Sequence, residues 1–178
     1  MEPIRELIAV DLEMTGLQVK TDRILEIGAV RLVDGQLRDT FQTFVNPHRR
    51  IDARITELTG IWPEMVENAP EAEEALRKFL EFAGEAPFLG HNVIFDYSFL
   101  KQCAVNHKIS LERSALDTLK IARKVLKEPE KKSLEALCGY FQIDREHAHR
   151  AVDDAKATAE LFLMLQQKYQ QQEPGLFV

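Results

Sequence analysis

The chain has 178 residues, of which 45% are hydrophobic and 29% charged, and its net charge is −6. That length suits one full core and is short for two domains. The acidic balance excludes a protein that coats nucleic acid by charge alone, and no run approaches the ~18 apolar residues of a membrane span.

The first six residues, Met1-Glu2-Pro3-Ile4-Arg5-Glu6, are polar and carry no signal-peptide pattern. Leu7 to Val10 is an apolar run suited to a buried strand, and Asp11 and Glu13 interrupt it. Their i,i+2 spacing puts both carboxylates on one face of a strand, roughly 6.6 Å apart along it. An isolated pair of this kind reads as an edge strand with one wet face. On a buried face, two like charges need a partner, and hard oxygen ligands suit Mg²⁺ or Mn²⁺. Thr15-Gly16 ends the strand.

Ile24 to Val33 alternates, with Ile27 and Ala29 facing inward. Asp34-Gly35 signals a hairpin, and Gln36 to Val45 returns as a third strand closed by Asn46-Pro47. Short helical pieces follow at Asp52 to Glu57 and Ile61 to Val66. Pro70 suits a first helical position, and Ala72, Leu76, Phe79, Leu80 and Ala83 recur at core-facing spacing up to Gly84. Pro87 to Gly90 predicts a short strand, Val93 to Asn106 a helix, and Leu116 to Thr118 a fifth strand. Further helices are expected at Thr118 to Lys127, Ser133 to Phe141 and Ala151 to Gln172. Cys103 and Cys138 sit among apolar residues without a second ligand nearby, which reads as buried thiols in a reducing cytoplasm. One domain over 1–172 with a tail over 173–178 is the expected organisation. Strands followed by helices with short strands between them make an α/β fold with a mixed sheet.

Two more acids fall on inward stripes. Asp96 shares a helical face with Asn92, Phe99, Leu100 and Cys103, with Phe95 beside it. For a lone aspartate, a favourable position near a helix N-terminus would suffice as explanation. In the last helix, Asp154, Thr158, Leu161 and Leu165 align, whereas Asp153 leads to Ala157 and Glu160 and reads as solvated. His149 lies five residues before Asp154. Five residues turn a helix by ~500°, so the two converge only if His149 sits in the loop entering the helix. Four carboxylates suit two divalent ions ~3.5–4 Å apart, the arrangement used for in-line phosphoryl transfer. A histidine beside them can act as general base.

These segments resemble the motifs of the DEDDh (DnaQ-like) 3′–5′ exonuclease family. Asp11-Leu12-Glu13-Met14-Thr15-Gly16-Leu17 looks like the first motif, Asn92-Val93-Ile94-Phe95-Asp96 the second, and His149-Arg150-Ala151-Val152-Asp153-Asp154-Ala155 the third. Ile55 to Ile61 through Asn68-Ala69-Pro70 is similar to the linker of the proofreading exonuclease domain of bacterial replicative polymerases. The resemblance implies a ribonuclease-H-like fold with a central five-stranded mixed sheet flanked by helices. It implies two Mg²⁺ or Mn²⁺ held by Asp11, Glu13, Asp96 and Asp154, with His149 as base. It further implies that Met14, Thr15, Leu17, Asn92 and Phe95 line the terminal nucleotide, and that the substrate is a single-stranded 3′ end. A DNA polymerase or a helicase is the implied partner. Met14 stands where many members have threonine and also occurs in the oligoribonuclease branch, which keeps an exoribonuclease as the alternative. A non-catalytic polymerase-associated domain would lack a ligand, and a structural calcium site would not need His149.

Finally, Lys120, Arg123, Lys124 and Lys127 have the spacing of one basic helical stripe, joined by Lys131 and Lys132. It reads either as a solvated face or as a track for phosphates.

Overall fold

The computed structural model describes residues 5–145 and 149–170. The expected tail at 173–178, and the last two residues expected in the final helix, lie outside the described residues. The chain opens as an antiparallel meander of β1 (Glu6–Met14), β2 (Ile24–Val33) and β3 (Gln36–Phe44). The β2–β3 turn places Asp34 at φ 48° and Gly35 at φ 74°. Two consecutive positive φ values match the twist of a two-residue hairpin, which the Asp-Gly pair supplies at low strain.

Helices α1 (Ala53–Thr59), α2 (Pro63–Val66) and α3 (Ala72–Ala83) follow, then β4 (Phe88–Gly90), α4 (Val93–Asn106) and β5 (Ala115–Asp117). The chain continues through α5 (Thr118–Val125), α6 (Leu134–Phe141) and α7 (Ala151–Gln170). The sheet has the order β3-β2-β1-β4-β5. β4 runs parallel to β1 and β5 parallel to β4, so the sheet is mixed, as expected.

The alternation along β1 separates two cores. Ile8, Val10 and Leu12 pack with Ile27, Ala29, Phe79, Phe88, Phe99 and Leu100 under α3 and α4. Leu7 and Ala9 pack with Val30, Leu32, Ala155, Ala159 and Phe162 under α7. A third cluster joins Ala122, Leu137, Cys138, Leu161 and Leu165, seating α5 and α6 against α7. Each large apolar side chain so buried contributes about 1.5–3 kcal/mol. Asp11 and Glu13 continue the odd-numbered row, so they leave the sheet on the α7 face at the carboxyl end of β1.

Some boundaries differ from the sequence-based expectation. Helix α3 starts after Glu71, not at Pro70, because the Pro70 carbonyl accepts the N–H of Asn46 at 2.9 Å. Helix α5 stops at Val125, and Leu126 is extended and buried against the α6–α7 cluster. Lys127 therefore leaves the basic stripe, and the exposed Lys120, Arg123 and Lys124 remain. Both thiols are buried and free, as expected, and burial pushes each up to about 11.

The start of α7 lies directly on β2. A Cβ at Gly28 would overlap the carbonyl carbon of Ala151 and the nitrogen of Val152. These are backbone atoms, so the strain could be relieved only by moving the helix. We expect Gly28→Ala to lower the free energy of unfolding by at least about 2 kcal/mol. Urea denaturation measures this. Unchanged stability would mean that α7 tolerates a shift off β2.

Candidate active site

Three elements bring acids to one place. Asp11 and Glu13 pair in register with Gly28 and Glu26 on β2. A bulge follows, since Glu13 faces Glu26 while Met14 faces Ile24. On its other edge, β1 pairs with β4 only at Ile8 and Ala9. Beyond Ala9 that edge is open, and the Leu12 N–H donates to Asp96 Oδ1 at 3.1 Å. This bond draws the first turn of α4 against the segment between Asp11 and Glu13. Asp96 is buried, as its helical stripe predicted.

Asn92 enters α4 in the left-handed region at φ 63°, which asparagine tolerates better than most side chains. It is exposed, and its N–H donates to Asp117 Oδ1 at 2.9 Å. The same oxygen accepts from Leu119 N at 2.9 Å. Buried Asp117 thus ties the starts of α4 and α5 together. Sequence reading placed this residue in a strand and gave it no role.

Asp154 lies in the first turn of α7 and is buried, whereas Asp153 is half-buried and pairs with Lys156. His149 is exposed, at φ 65°, ahead of the helix, which is where the helical arithmetic required it. Its N–H donates to Asp154 Oδ2 at 3.3 Å. Ligand atoms of Glu13, His149 and Asp154 all lie within 4.8 Å of one another.

The electrostatics follow from this crowding. Burial, then Asp96, Asp154 and Glu13, hold the Asp11 carboxyl well above the usual carboxylate range. Burial, then Asp154, Glu26 and Asp96, push Glu13 up to about 8. Burial pushes Asp96 up to about 7 against the Leu12 hydrogen bond. Two arginines offset part of this charge. Arg145 donates to Asp154 Oδ1 from Nε at 2.9 Å and from a terminal guanidinium nitrogen at 2.6 Å, and its charge lowers Asp11. Arg150 lowers Glu13 in the same way. No spacing rule could place Arg145, because it reaches the site from the loop before α7. Even so, one guanidinium on Asp154 leaves Asp11, Glu13 and Asp96 with raised proton affinities. A set of carboxylate oxygens short of positive charge fits a divalent cation.

Of the residues expected around a nucleotide, Leu17 is 75% exposed. Met14 and Phe95 are half-buried at the edge of the α3–α4 core, and Phe95 lies edge-on to Phe99 with centroids 5.3 Å apart. Thr15 is buried. Its hydroxyl donates to Asp22 Oδ1 at 3.1 Å and accepts the Arg23 N–H at 3.0 Å. Asp22 Oδ2 also accepts the Gln18 N–H at 2.9 Å. Thr15 therefore braces the turn that carries Leu17. His91, the other histidine near the second motif, has Nδ1 2.9 Å from the Thr118 hydroxyl and Nε2 2.8 Å from the Lys132 carbonyl. Both of its ring nitrogens are taken up in holding loops together.

The exonuclease family model (RNase_T) matches residues 8–162. The chain belongs to the exonuclease family. It is 45% identical over 166 residues to the PolC-type DNA polymerase III of Caldanaerobacter subterraneus subsp. tengcongensis, covering 93% of this chain and 12% of that protein. The corresponding polymerase of Bacillus subtilis is 37% identical over 161 residues, with 89% and 11% covered. The chain thus spans about one-eighth of the length of these relatives. Among solved structures, exonuclease X in complex with 5′ overhanging duplex DNA superposes with a TM-score of 0.73 at 25% identity, covering 90% and 91% of the two chains. The nuclease domain of 3′hExo, a DEDDh family member bound to rAMP, gives 0.80 at 20% identity with 92% of each chain covered. The five-stranded mixed sheet flanked by helices is the ribonuclease-H-like fold of these exonucleases.

The raised carboxyls set a pH dependence in metal-free protein. Glu13 at about 8 and Asp96 at about 7 exceed their unfolded values of about 4. Between those limits the native state keeps protons that the unfolded chain releases, so stability is full below about pH 4 and falls as pH rises toward 8. With a chelator present, the urea midpoint should decline from pH 5 to 8, and Asp11→Asn should flatten the decline. Millimolar Mg²⁺ should abolish it, because the ion takes the protons' place. A midpoint independent of pH in chelator would contradict the crowded-acid description.

Proposed function

We propose that this chain is a metal-dependent 3′–5′ exonuclease that acts on single-stranded DNA ends. It releases nucleoside 5′-monophosphates and serves proofreading or repair beside a replicative polymerase. The observation that carries this reading is the convergence of Asp11, Glu13, Asp96 and Asp154 with an exposed His149 at the mouth of the cluster. The identity to PolC-type polymerases favours DNA and a replication context. Met14 favours the second reading, an exoribonuclease with the same machinery.

In the proposed site Glu13 and Asp154 would hold one Mg²⁺ or Mn²⁺, Asp96 would support a second, and Asp11 would contribute to both. Such ions acidify the attacking water and neutralise charge on the phosphate. The protein's own part is acid–base chemistry and positioning. His149 is the group that accepts the proton of the attacking water, because the carboxylates are committed to cations and His91 to loop contacts. Its exposure lets it reach a water arriving from solvent. Leu17 stands free to wedge against the terminal base. Met14, Asn92 and Phe95 complete that pocket, and Thr15 shapes it by holding the turn.

Matched DNA and RNA oligonucleotides, single- and double-stranded, test the reading with Mg²⁺ or Mn²⁺ present. Fastest shortening from the 3′ end of single-stranded DNA is expected, and faster loss of RNA would select the second reading. Asp11→Ala should remove activity and leave the metal-free fold at least as stable, since one repelling charge is gone. His149→Ala should lower turnover by ~10²–10⁴-fold while calorimetry still detects Mn²⁺ binding. Loss of Mn²⁺ binding in that variant would make His149 a ligand and not the base. Wild-type turnover in Asp11→Ala would reject the site.

A further inference from the structure

Glu26 is a charged residue in the middle of an apolar strand, and it is fully buried. It lies opposite Glu13, so it looks like a fifth ligand. Its hydrogen bonds argue otherwise. Oε1 accepts from Gln42 at 2.6 Å and from a terminal guanidinium nitrogen of Arg150 at 2.9 Å. Oε2 accepts from Arg150 Nε at 3.3 Å and from the Ala151 N–H at 3.2 Å. Both oxygens are taken, and the charge is matched by a bidentate guanidinium. An ionised carboxylate can stay buried on these terms, and hardly on others.

Three of these four hydrogen bonds come from Arg150 and Ala151, at the start of α7. The guanidinium carbon of Arg150 lies over the Phe44 ring, 5.2 Å from its centroid, and the Arg150 carbonyl accepts the N–H groups of Asp153 and Asp154 at 3.0 Å. It is the residue from which α7 starts. His149 directly precedes it, outside the helix and exposed. Asp154 has a second means of support, because α7 packs Ala155, Ala159 and Phe162 against the sheet. His149 is exposed and lies outside the helix. Among the described residues its placement rests on its own N–H bond to Asp154 and on the anchored Arg150 beside it.

We propose that Glu26 is a positioning residue for strand cleavage: through Arg150 and the N–H of Ala151 it holds His149 over the carboxylates, while taking no part in ion binding. This rests on the nuclease reading above. A displacement of about 1 Å in a catalytic group can lower turnover ~10²-fold, so the expected effect lies on turnover and not on substrate affinity.

The test uses the whole chain on a single-stranded DNA oligonucleotide with Mg²⁺, comparing Glu26→Gln and Arg150→Met with the wild type. Each is then combined with His149→Ala. Arg150→Met removes the clamp from its solvent side, so it carries the test if Glu26→Gln does not fold. We expect kcat to drop about 10–100-fold in either variant, with KM and calorimetric Mn²⁺ affinity within about twofold of wild type. In the His149→Ala background, the same substitutions should change kcat by less than about threefold, because the group they position is already gone. An equal loss in both backgrounds would make Glu26 a purely structural residue and overturn the proposal. So would weakened Mn²⁺ binding or an unchanged kcat. A wild-type chain that cuts no strand would instead remove the nuclease reading itself.

Discussion

The seat of α7 on Gly28 is the contact on which the remaining architecture depends. With no side chain at that position, the helix backbone meets the strand directly. The alanines at 151, 155 and 159 keep the approach close along the next turns, each of them buried without residual exposure. The same approach has two results. It closes the apolar layer of Leu7, Ala9, Val30 and Phe162, and it brings the first turn of α7 to the end of β1. Core and cluster are therefore not separate designs. A helix held 2 Å farther out would leave a void beside Ala9 and move Asp154 away from Glu13.

The cluster itself works against stability. Asp11, Glu13 and Asp96 all have raised proton affinities, and Arg145 places a single positive charge on Asp154. Arg150 is engaged by Glu26. Such an imbalance is tolerable where the missing charge arrives with a ligand, and it draws cations to the cleft. The second histidine contrasts with this. His91 is held below the usual imidazole range by burial and serves packing, so it is neutral without help, whereas the cluster acids are neutral only by holding protons that a cation would replace.

Most of the frame was legible in the sequence for a physical reason. The meander, the Asp34-Gly35 turn and helix α4 rest on local patterning, and their boundaries are within a residue of those expected. Asp96 and Asp154 could be chosen by helical stripe, since burial of one helix face decides which acid points inward. The illegible parts all depend on contacts between distant segments. Glu26 is neutralised by Arg150, 124 positions away, which no local pattern reveals. Arg145 has no periodicity at all, and Asp117 acts through backbone N–H groups contributed by two helices. Pro70 looked like a helix start because nothing local reveals that Asn46 claims its carbonyl. The overlong α5 has the same origin, in the tertiary pull on Leu126.

The open edge of β1 has a consequence for the order in which the molecule comes together. The bond from Leu12 to Asp96 joins residues 84 positions apart, and the clamp from Glu26 to Arg150 spans 124. Neither can form early, since each requires closing a long loop before any contact rewards it. A nascent or partly folded chain thus contains the acids of β1 without their partners. The carboxylate cluster is complete only once both long-range links have closed, so a partly folded chain lacks the site that the proposed function requires.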